Sequence, residues 1–552
     1  MYVAENKSPA KERKKIYQSV LLRESYREGG KVKTRTIANL SRCKPAEIAA
    51  IKLALKYKDQ LCELGSVKES VSLQEGPSIG AVWAVYQIAK RTGIEKALGK
   101  DFAGKLAMWE VIARVIEQGS RLSAVRLAQT HAACDVLDIR RGFDENDLYD
   151  NLRWLADNQE AIEQKLFSVR QAKAKPEIFL YDVTSSYLEG THNYFGAYGY
   201  NRDRKKGKQQ IVIGLLCDEF GEPVSTEVFA GNTQDPQTFA CQVKKAAERF
   251  GCERVTFVGD RGMIKIPQIK NLPKGFHYIT AITKPQINSL IDRGVIQIGL
   301  FDEDVFEVED HDIRYILRRN PVRVAQIDES RMSKRRSVEK LLEKKNIYLC
   351  EHKKAKVETA IKEINKKIVQ LKIDKWLRVK TRERTLQLEV DNEALEEVSR
   401  LDGCYVIKTD LPKEVADKQI IHDRYKDLTE VERAFRTFKT DFLEVRPVYV
   451  QTEKSTQGHV LVVMLAYMIV RILRRAWQEF ELTVEEGLNQ LSTLCSMEMK
   501  IKNQASCLKI PRPRETSRQL LKALDITMPI VLPHRKVRVV TRKKLVARRK
   551  LL

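Results

Sequence analysis

Apolar positions along the chain change period near residue 177. Residues 45 to 62 and 79 to 170 repeat their apolar side chains at three- and four-residue spacing without strand-like alternation, which predicts helices. Before them, between Tyr17 and Ile37, two β-type runs flank Gly29-Gly30, a two-residue hairpin signal. From Glu177 the texture becomes that of strands: IFLYDVTSSYL, QQIVIGLLCDEFG and PVSTEVFAGN, the last two joined through a turn at Gly221. DPQTFACQVKKAAERFG then reads as a helix, with Asp235 as N-cap, Pro236 at the first helical position and Gly251 at its close. RVTFVGDRG, a short helical stretch and HYITAITK follow.

This βββ-α-β-α-β order predicts an α/β fold, a ribonuclease H-like mixed sheet covered by helices, behind a mainly α N-terminal region. Residues 285 to 415 mix alternating stretches with a charged helical one, whose apolar period runs Val357, Ile361, Ile364, Ile368 and Leu371. They predict an α+β insertion that interrupts the sheet. The expected division is therefore 1–65, a hairpin plus helix; 66–172, a helical DNA-binding region; 173–284 with 416–480, the sheet domain; 285–415, the insertion; and 481–552, a C-terminal helical region and basic tail. Within the helical region, a break at Gly119-Ser120 separates two amphipathic stretches, and Ser123 suits the second as N-cap. A helix-turn-helix has this form, with Arg121, Arg126 and Gln129 as its contacts, and so has any helical hairpin. The apolar run Val460 to Val470 is too short for a bilayer span and predicts a buried helix.

Charge narrows the class of partner. Lys and Arg number 99 against 74 Asp and Glu, a net +25, which favours a polyanion and nucleic acid first. From Arg535 to Lys550 there are nine basic residues and no acidic one. Lys31, Lys33 and Arg35 recur at period two on the predicted hairpin, a ribbon suited to a DNA backbone and equally to a solvated face. The ten cysteines form no CxxC pair and have no histidines at zinc spacing, which speaks against a structural zinc site. The N-terminus lacks a signal-peptide core, so reduced thiols and a cytoplasmic, nucleoid-associated location are expected.

Carboxylates supply the candidate chemistry. Asp182 ends an apolar and aromatic run, Ile178 to Tyr181, where an unpaired charge costs several kcal/mol. Asp260 repeats this after Val255, Phe257 and Val258. On adjacent strands the two would share a hard cation, although strand-end aspartates also cap turns. In YKDLTEVERAFRTFKT, Asp427 and Glu430 have capping-box spacing, and Leu428, Val431, Phe435 and Phe438 form a buried stripe. Beside that stripe Glu432, Arg436 and Lys439 stand at i, i+4 and i+7, on one face with Tyr425 near it. An intrahelical salt bridge accounts for the first two but less readily for Lys439.

These segments, YDVTSSY, GYNRDRKKGKQQIVIGLL, FAGNTQDPQTF, VGDRGM and DGCYVIKTD leading into the Glu432 helix, resemble IS4-superfamily (IS1634-like) insertion-sequence transposases of the DDE class. That superfamily's third acid lies in a Tyr-x2-Arg-x3-Glu-x6-Lys signature, which Tyr425, Glu432 and Lys439 fit; Leu428 stands in the Arg place, with Arg433 or Arg436 as substitutes. The resemblance implies a DNA transposase that cuts and joins strands at element ends, with Asp182, Asp260 and Glu432 as catalytic residues. It further implies that these three hold two Mg²⁺ or Mn²⁺ ions for in-line phosphoryl transfer. Tyr425, Arg436 and Lys439 would position DNA, and Arg202, Arg204, Lys205, Lys206 and Lys208 would contact its backbone, unless these last are an exposed loop. The implied partners are double-stranded DNA, as terminal inverted repeats and target, and a second copy in a homodimer on DNA, with no membrane. Two other readings remain: a nuclease without strand transfer, and a catalytically silent DNA-binding derivative.

Overall fold

The computed structural model describes residues 1–9, 16–58, 71–172, 176–190, 192–203, 205–302, 304–446, 448–501 and 505–541. The chain divides into two compact units.

The larger unit, Ile79–Thr493 with Pro513–Thr527 and Arg535–Leu552, is built on an eight-stranded mixed sheet. Its strands, numbered within this sheet, are β1 Ile178–Tyr187, β2 Gln210–Asp218, β3 Pro223–Ala230, β4 Val255–Gly259, β5 Phe276–Ala281, β6 Phe306–Asp310, β7 Ile313–Arg319 and β8 Cys404–Thr409. They lie in the order β6-β7-β8-β5-β4-β1-β2-β3. Strands β1, β4 and β5 pair in parallel, whereas β2 runs antiparallel to both β1 and β3. Every residue of β2 and β4 is buried, as the unbroken apolar runs of both segments require when each face of a sheet is covered. One cover is the pair of helices Gln159–Gln171 and Asp235–Lys244, whose Phe167, Phe239 and Val243 pack with Phe179, Tyr181 and Phe257.

Another is the helix Glu453–Ala476, capped by Thr452, whose Oγ1 accepts from the Ser455 amide at 3.2 Å. It contains the expected apolar run, and Val460 to Val470 are all buried. By length and composition this helix could cross a membrane, but 83% of its apolar window is buried inside the fold, which identifies it as a core helix. Gly458 permits close packing: a Cβ there would lie 2.0 Å from the Leu152 carbonyl oxygen of the helix Glu145–Asp157.

The insertion is not a separate interruption of the sheet. Strands β6, β7 and β8 all arise within 285–415 and extend the same sheet beyond β5. What stands apart is the stretch from the helix Pro321–Glu351 to the helix Asn392–Ser399, with its own apolar cluster of Val338, Ile364, Ile368, Trp376 and Leu386. The period at Val357, Ile361, Ile364 and Ile368 serves that cluster.

The candidate helix-turn-helix is packed into the core. Helices Phe102–Ile116 and Arg121–Thr130 follow the Gly119-Ser120 break, but Ser120, not Ser123, is the N-cap, accepting from the Ser123 amide at 3.2 Å. Arg121, expected to face DNA, is buried: its Nε lies 3.0 Å from Glu110 and a guanidinium nitrogen lies 3.2 Å from His459 Nδ1. Gln129 donates to the Val539 carbonyl at 3.1 Å, and Arg126 is half-buried. Burial pushes the Glu110 carboxyl up to about 7 despite Arg121, and it lowers Arg114 to about 9. Burial also drives His459 well below the ordinary histidine value, with Arg114 and Arg121 opposing its protonation. An amphipathic period marks a face as apolar, yet a buried ion pair on that face has the same spacing as a contact with an outside anion.

The smaller unit comprises Met1–Ser78, Leu494–Arg512 and Met528–His534. The expected hairpin is present: Ile16–Glu28 pairs antiparallel with Lys31–Asn39 across Gly29-Gly30, both at positive φ, and Tyr2–Pro9 adds a third strand. Across it Lys33 pairs with Glu28 at 2.8 Å and Arg35 with Glu24 at 2.6 Å, so two of the three period-two cations are neutralised locally. The expected helical region after residue 481 contains strands as well as the helices Val484–Ser492 and Glu515–Ala523. Cys495–Ile501 and Ala505–Lys509 are strands, and the former pairs antiparallel with Val71–Ser78, far upstream in the chain. Of the basic tail, residues 542–552 lie outside the described residues.

Because Arg121 neutralises a buried carboxylate, Arg121→Ala is expected to lower the unfolding free energy by about 3–5 kcal/mol. Denaturant titration measures this, and the salt dependence of DNA binding by the remaining folded protein should be unchanged.

Candidate active site

The register of the sheet brings the first two acids together. Tyr181 pairs with Gly259 in the parallel ladder between β1 and β4, so Asp182 and Asp260 occupy the next position on neighbouring strands. Asp182 remains within β1, opposite Leu215 of β2, whereas Asp260 has just left the sheet and is exposed. Each carboxylate takes a main-chain donor from the following residue, the Val183 amide on Asp182 and the Arg261 amide on Asp260, both at 2.7 Å.

Glu432 comes from the helix Leu428–Arg436, which buries Val431, Ala434 and Phe435 as it packs on β1. The expected Asp427 capping box is absent. A preceding helix, Lys418–Lys426, runs directly into this one, so Asp427 is itself helical, and its carboxylate lies 3.3 Å from Arg424. After Arg436 the backbone widens into a π-turn, Thr437–Asp441, anchored by wholly buried Phe438 against Phe435 and Tyr467. That widening breaks the simple i, i+4, i+7 line, a local irregularity of a kind frequent at functional sites.

Asp182, Asp260 and Glu432 line one cleft of about 510 Å³, with Asp203, Asp235, Arg202, Arg436, Lys439 and Arg446. Five carboxylates thus meet four cations, and their pairing is selective. Arg202 grips Asp235 through both carboxylate oxygens at 2.9 and 2.8 Å. Lys439 donates to Asp203 at 2.9 Å, and Arg446 donates to the same oxygen. The Asp203 side chain is only 2% exposed, and it also accepts from the Tyr187 amide at 3.1 Å. Asp182, Asp260 and Glu432 have no ion pair among the described residues. Burial, then the charges of Asp260 and Glu432, pushes the Asp182 carboxyl up to about 7, although the Val183 amide and Arg202 oppose the rise. Burial lowers the Lys439 ammonium, and Asp203 offsets only part of that.

The other expected contacts are distributed unevenly. Tyr425 does not line the cleft; its buried hydroxyl hydrogen bonds to Asp260, and burial with that carboxylate raises it well above the ordinary tyrosine value. Lys205 sits 5.7 Å over the Tyr187 ring, Lys206 is exposed, and Lys208 pairs with Glu189 at 2.8 Å. Arg204 lies outside the described residues. Asp235 neither caps nor precedes its helix: Gln234 holds the N-cap position, and the Asp235 carboxylate is taken by Arg202. Asp203 and Arg446 escaped the sequence reading because Asp203 meets Lys439 and Arg446 only across 236 and 243 residues of chain. The one available signal was an acid alone in the basic run from Arg202 to Lys208.

An all-oxygen donor set, with one member half-buried and destabilised by two like charges, suits a hard divalent cation. Among the described residues no three acidic, histidine or cysteine side chains stand at the mutual spacing of a finished metal cage. The acids therefore share the cleft without converging.

Comparison with known proteins places this geometry. A family model described as the transposase DDE domain matches residues 173–469, more than half of the chain. The chain belongs to the DDE transposases, enzymes that move DNA. A second model, described as the N-terminal domain of IS1634 family transposases, matches residues 6–69, so this segment is similar to that domain. No curated protein matches it. A solved structure, "Cryo-EM structure of piggyBac transposase synaptic complex with hairpin DNA (SNHP)", aligns with 9% identity over 80% of this chain and 75% of that one. Its TM-score of 0.32 is too low to carry structural inference.

The Asp182 carboxyl titrates higher in the folded chain than in an unfolded one. Its contribution to stability is complete in acid and is lost as the pH rises through about 7. Asp182→Asn, which cannot ionise, should therefore raise the melting temperature of the metal-free protein by about 2–4 °C at pH 8 and give no gain at pH 4. Thermal scans at the two pH values measure the difference.

Proposed function

We propose that this transposase cuts and joins DNA strands at the ends of its own element by metal-dependent phosphoryl transfer, in the cleft between Asp182, Asp260 and Glu432. The observation that carries the reading is the selective pairing: Asp203 and Asp235 are neutralised by Lys439, Arg446 and Arg202, while the three acids expected to act have no ion pair among the described residues. Two divalent cations, Mg²⁺ or Mn²⁺, would activate water or a freed 3′-hydroxyl for in-line attack and stabilise the leaving oxygen. Asp182, with its raised carboxyl, would give up a proton when it takes a cation, so cation affinity should increase with pH. The Tyr425 hydroxyl orients Asp260. Arg436, Lys439 and Arg446 stand on the cleft wall to receive the phosphodiester, the last two held in place by Asp203.

The strand order β3-β2-β1-β4-β5, with only β2 reversed, supports a ribonuclease H-like catalytic sheet. Membership of the IS4 superfamily rests on Tyr425, Glu432 and Lys439 at the signature spacing, with Leu428 in the Arg place. Arg433 pairs with Glu430 at 2.7 Å, which leaves Arg436 as the better substitute for that cation. The partners would be double-stranded DNA, as inverted repeats and target, and a second copy on paired ends, in the cytoplasm at the nucleoid.

The test is cleavage of labelled DNA carrying the element's ends, with Mg²⁺, Mn²⁺ or chelator. Metal-dependent nicking by the wild type should disappear in Glu432→Gln, and in Asp182→Ala and Asp260→Ala, with DNA binding largely retained. Tight binding without cleavage by the wild type would point instead to a silent DNA-binding derivative. Asp203→Asn is expected to behave differently: releasing Lys439 and Arg446 should steepen the salt dependence of DNA binding by about one phosphate contact while slowing cleavage. An unchanged salt slope would show that Asp203 does not restrain those cations.

A further inference from the structure

Beside the catalytic cleft, and sharing Arg436 with it, runs a larger groove of about 1240 Å³. Its walls come from the helices Gly80–Arg91, Gln159–Gln171, Leu428–Arg436 and Glu453–Ala476, and from the turn at Ala523 to Asp525. Seven arginines line it against three carboxylates, Glu222, Glu430 and Asp525, so it is strongly positive.

The way these arginines are held distinguishes the groove from a structural salt-bridge network. Arg170 and Arg433 have carboxylate partners. Arg91, Arg471, Arg474 and Arg475 have none among the described residues. Arg91 donates to the Leu524 carbonyl at 2.7 Å. Arg471 donates to the carbonyls of Gly221 and Phe220, the latter at 2.7 Å, and Arg474 lies 3.3 Å from the Thr437 hydroxyl. Neutral acceptors fix the direction of a guanidinium without cancelling its charge, which leaves its remaining donors free for the oxygens of a phosphate. Arg474 and Arg475 also occupy the last turn of the Glu453–Ala476 helix, where the helix dipole favours cations. Arg91 likewise closes the helix Gly80–Arg91, whereas Arg471, one turn earlier on the Glu453–Ala476 helix, is not at a helix end; all four converge on the same groove.

Thr437 opens the π-turn that carries Lys439, so the groove and the catalytic cleft are joined by one stretch of backbone as well as by Arg436. We propose that this groove is a track for the DNA backbone running on from the reacting phosphate, with successive phosphodiesters docked on Arg471, Arg474, Arg475 and Arg91. It rests on the reading of the cleft as the site of DNA cleavage.

Binding is measured without metal, so that no result depends on chemistry, using one labelled duplex that stops at the cleavable phosphate and others extended past it in either direction. Arg475→Ala tests an exposed side chain with no partner among the described residues, so folding is not at stake; Arg474→Ala with Arg475→Ala, checked by thermal melting, enlarges the effect. The double variant should bind an extended duplex about tenfold more weakly than wild type, with a salt slope lower by about two contacts and unchanged affinity for the truncated duplex. Arg475→Ala should show about half that change in slope. Equal binding of wild type and double variant to every extended duplex overturns the groove as a DNA track. Equal losses on truncated and extended duplexes overturn it too, because the charge then acts at the reacting phosphate or without position. Failure of the wild type to bind any duplex would defeat the DNA reading of the cleft as well.

Discussion

Like charge held in one place against its own repulsion is the constraint around which the catalytic unit is organised. The parallel ladder between β1 and β4 fixes Asp182 and Asp260 at one level, and the helix Leu428–Arg436 presses Glu432 toward them from its packing on β1. The cost is visible in the Asp182 carboxyl, pushed up to about 7 by burial and by the two other acids. A sheet with both faces covered can bear that cost, since Phe179, Tyr181, Phe239 and Phe257 lock the strands beneath it. The same site is kept from collapsing on its own cations: Asp235 occupies Arg202, and Asp203 occupies Lys439 and Arg446. Without those two acids, Arg202, Lys439 and Arg446 would be drawn to Asp182, Asp260 and Glu432.

Support for this arrangement comes from behind. Arg114 donates to the Leu443 carbonyl at 3.4 Å, and His459 Nε2 lies 3.4 Å from the Val445 carbonyl, just ahead of Arg446. The buried group of Glu110, Arg114, Arg121 and His459 therefore braces the segment between the π-turn and Arg446. It also gives the helical region a place in the catalytic unit: its charged residues fix a loop of the site. A buried ion pair adds little net stability over apolar packing but is costly to break, and such a group holds one geometry in preference to others.

Much of the sheet was legible in the chain. Ile178 to Tyr181 and Val255 to Val258 are apolar because both faces are covered, and the acids that end those runs stand out against them. The Gly29-Gly30 hairpin was readable because its positive φ angles call for glycine. Asp182 and Asp260 stood out because a charge that ends an apolar run must have a use or a partner, and Glu432 because it shares a helix face with Arg436 and Lys439 beside the buried stripe. Asp203 gave no such sign, because within its own segment it is one acid in a solvated basic run. The Asp427 box failed where two helices join without a break, so no free N-terminus needs a cap.

By itself the sequence determined the types of most elements, the three acids as candidates, the excess of positive charge and the membership in a family that moves DNA. These are properties of local period and of residue chemistry, which survive in a linear reading. Tertiary structure decided which charges are available. It buried Arg121 against Glu110, gave Lys439 to Asp203, left Arg475 open, carried β6, β7 and β8 into the catalytic sheet, and paired Cys495–Ile501 with Val71–Ser78. Each of these outcomes depends on a partner brought from far along the chain, and the period of a segment records which face is buried but not what is buried against it.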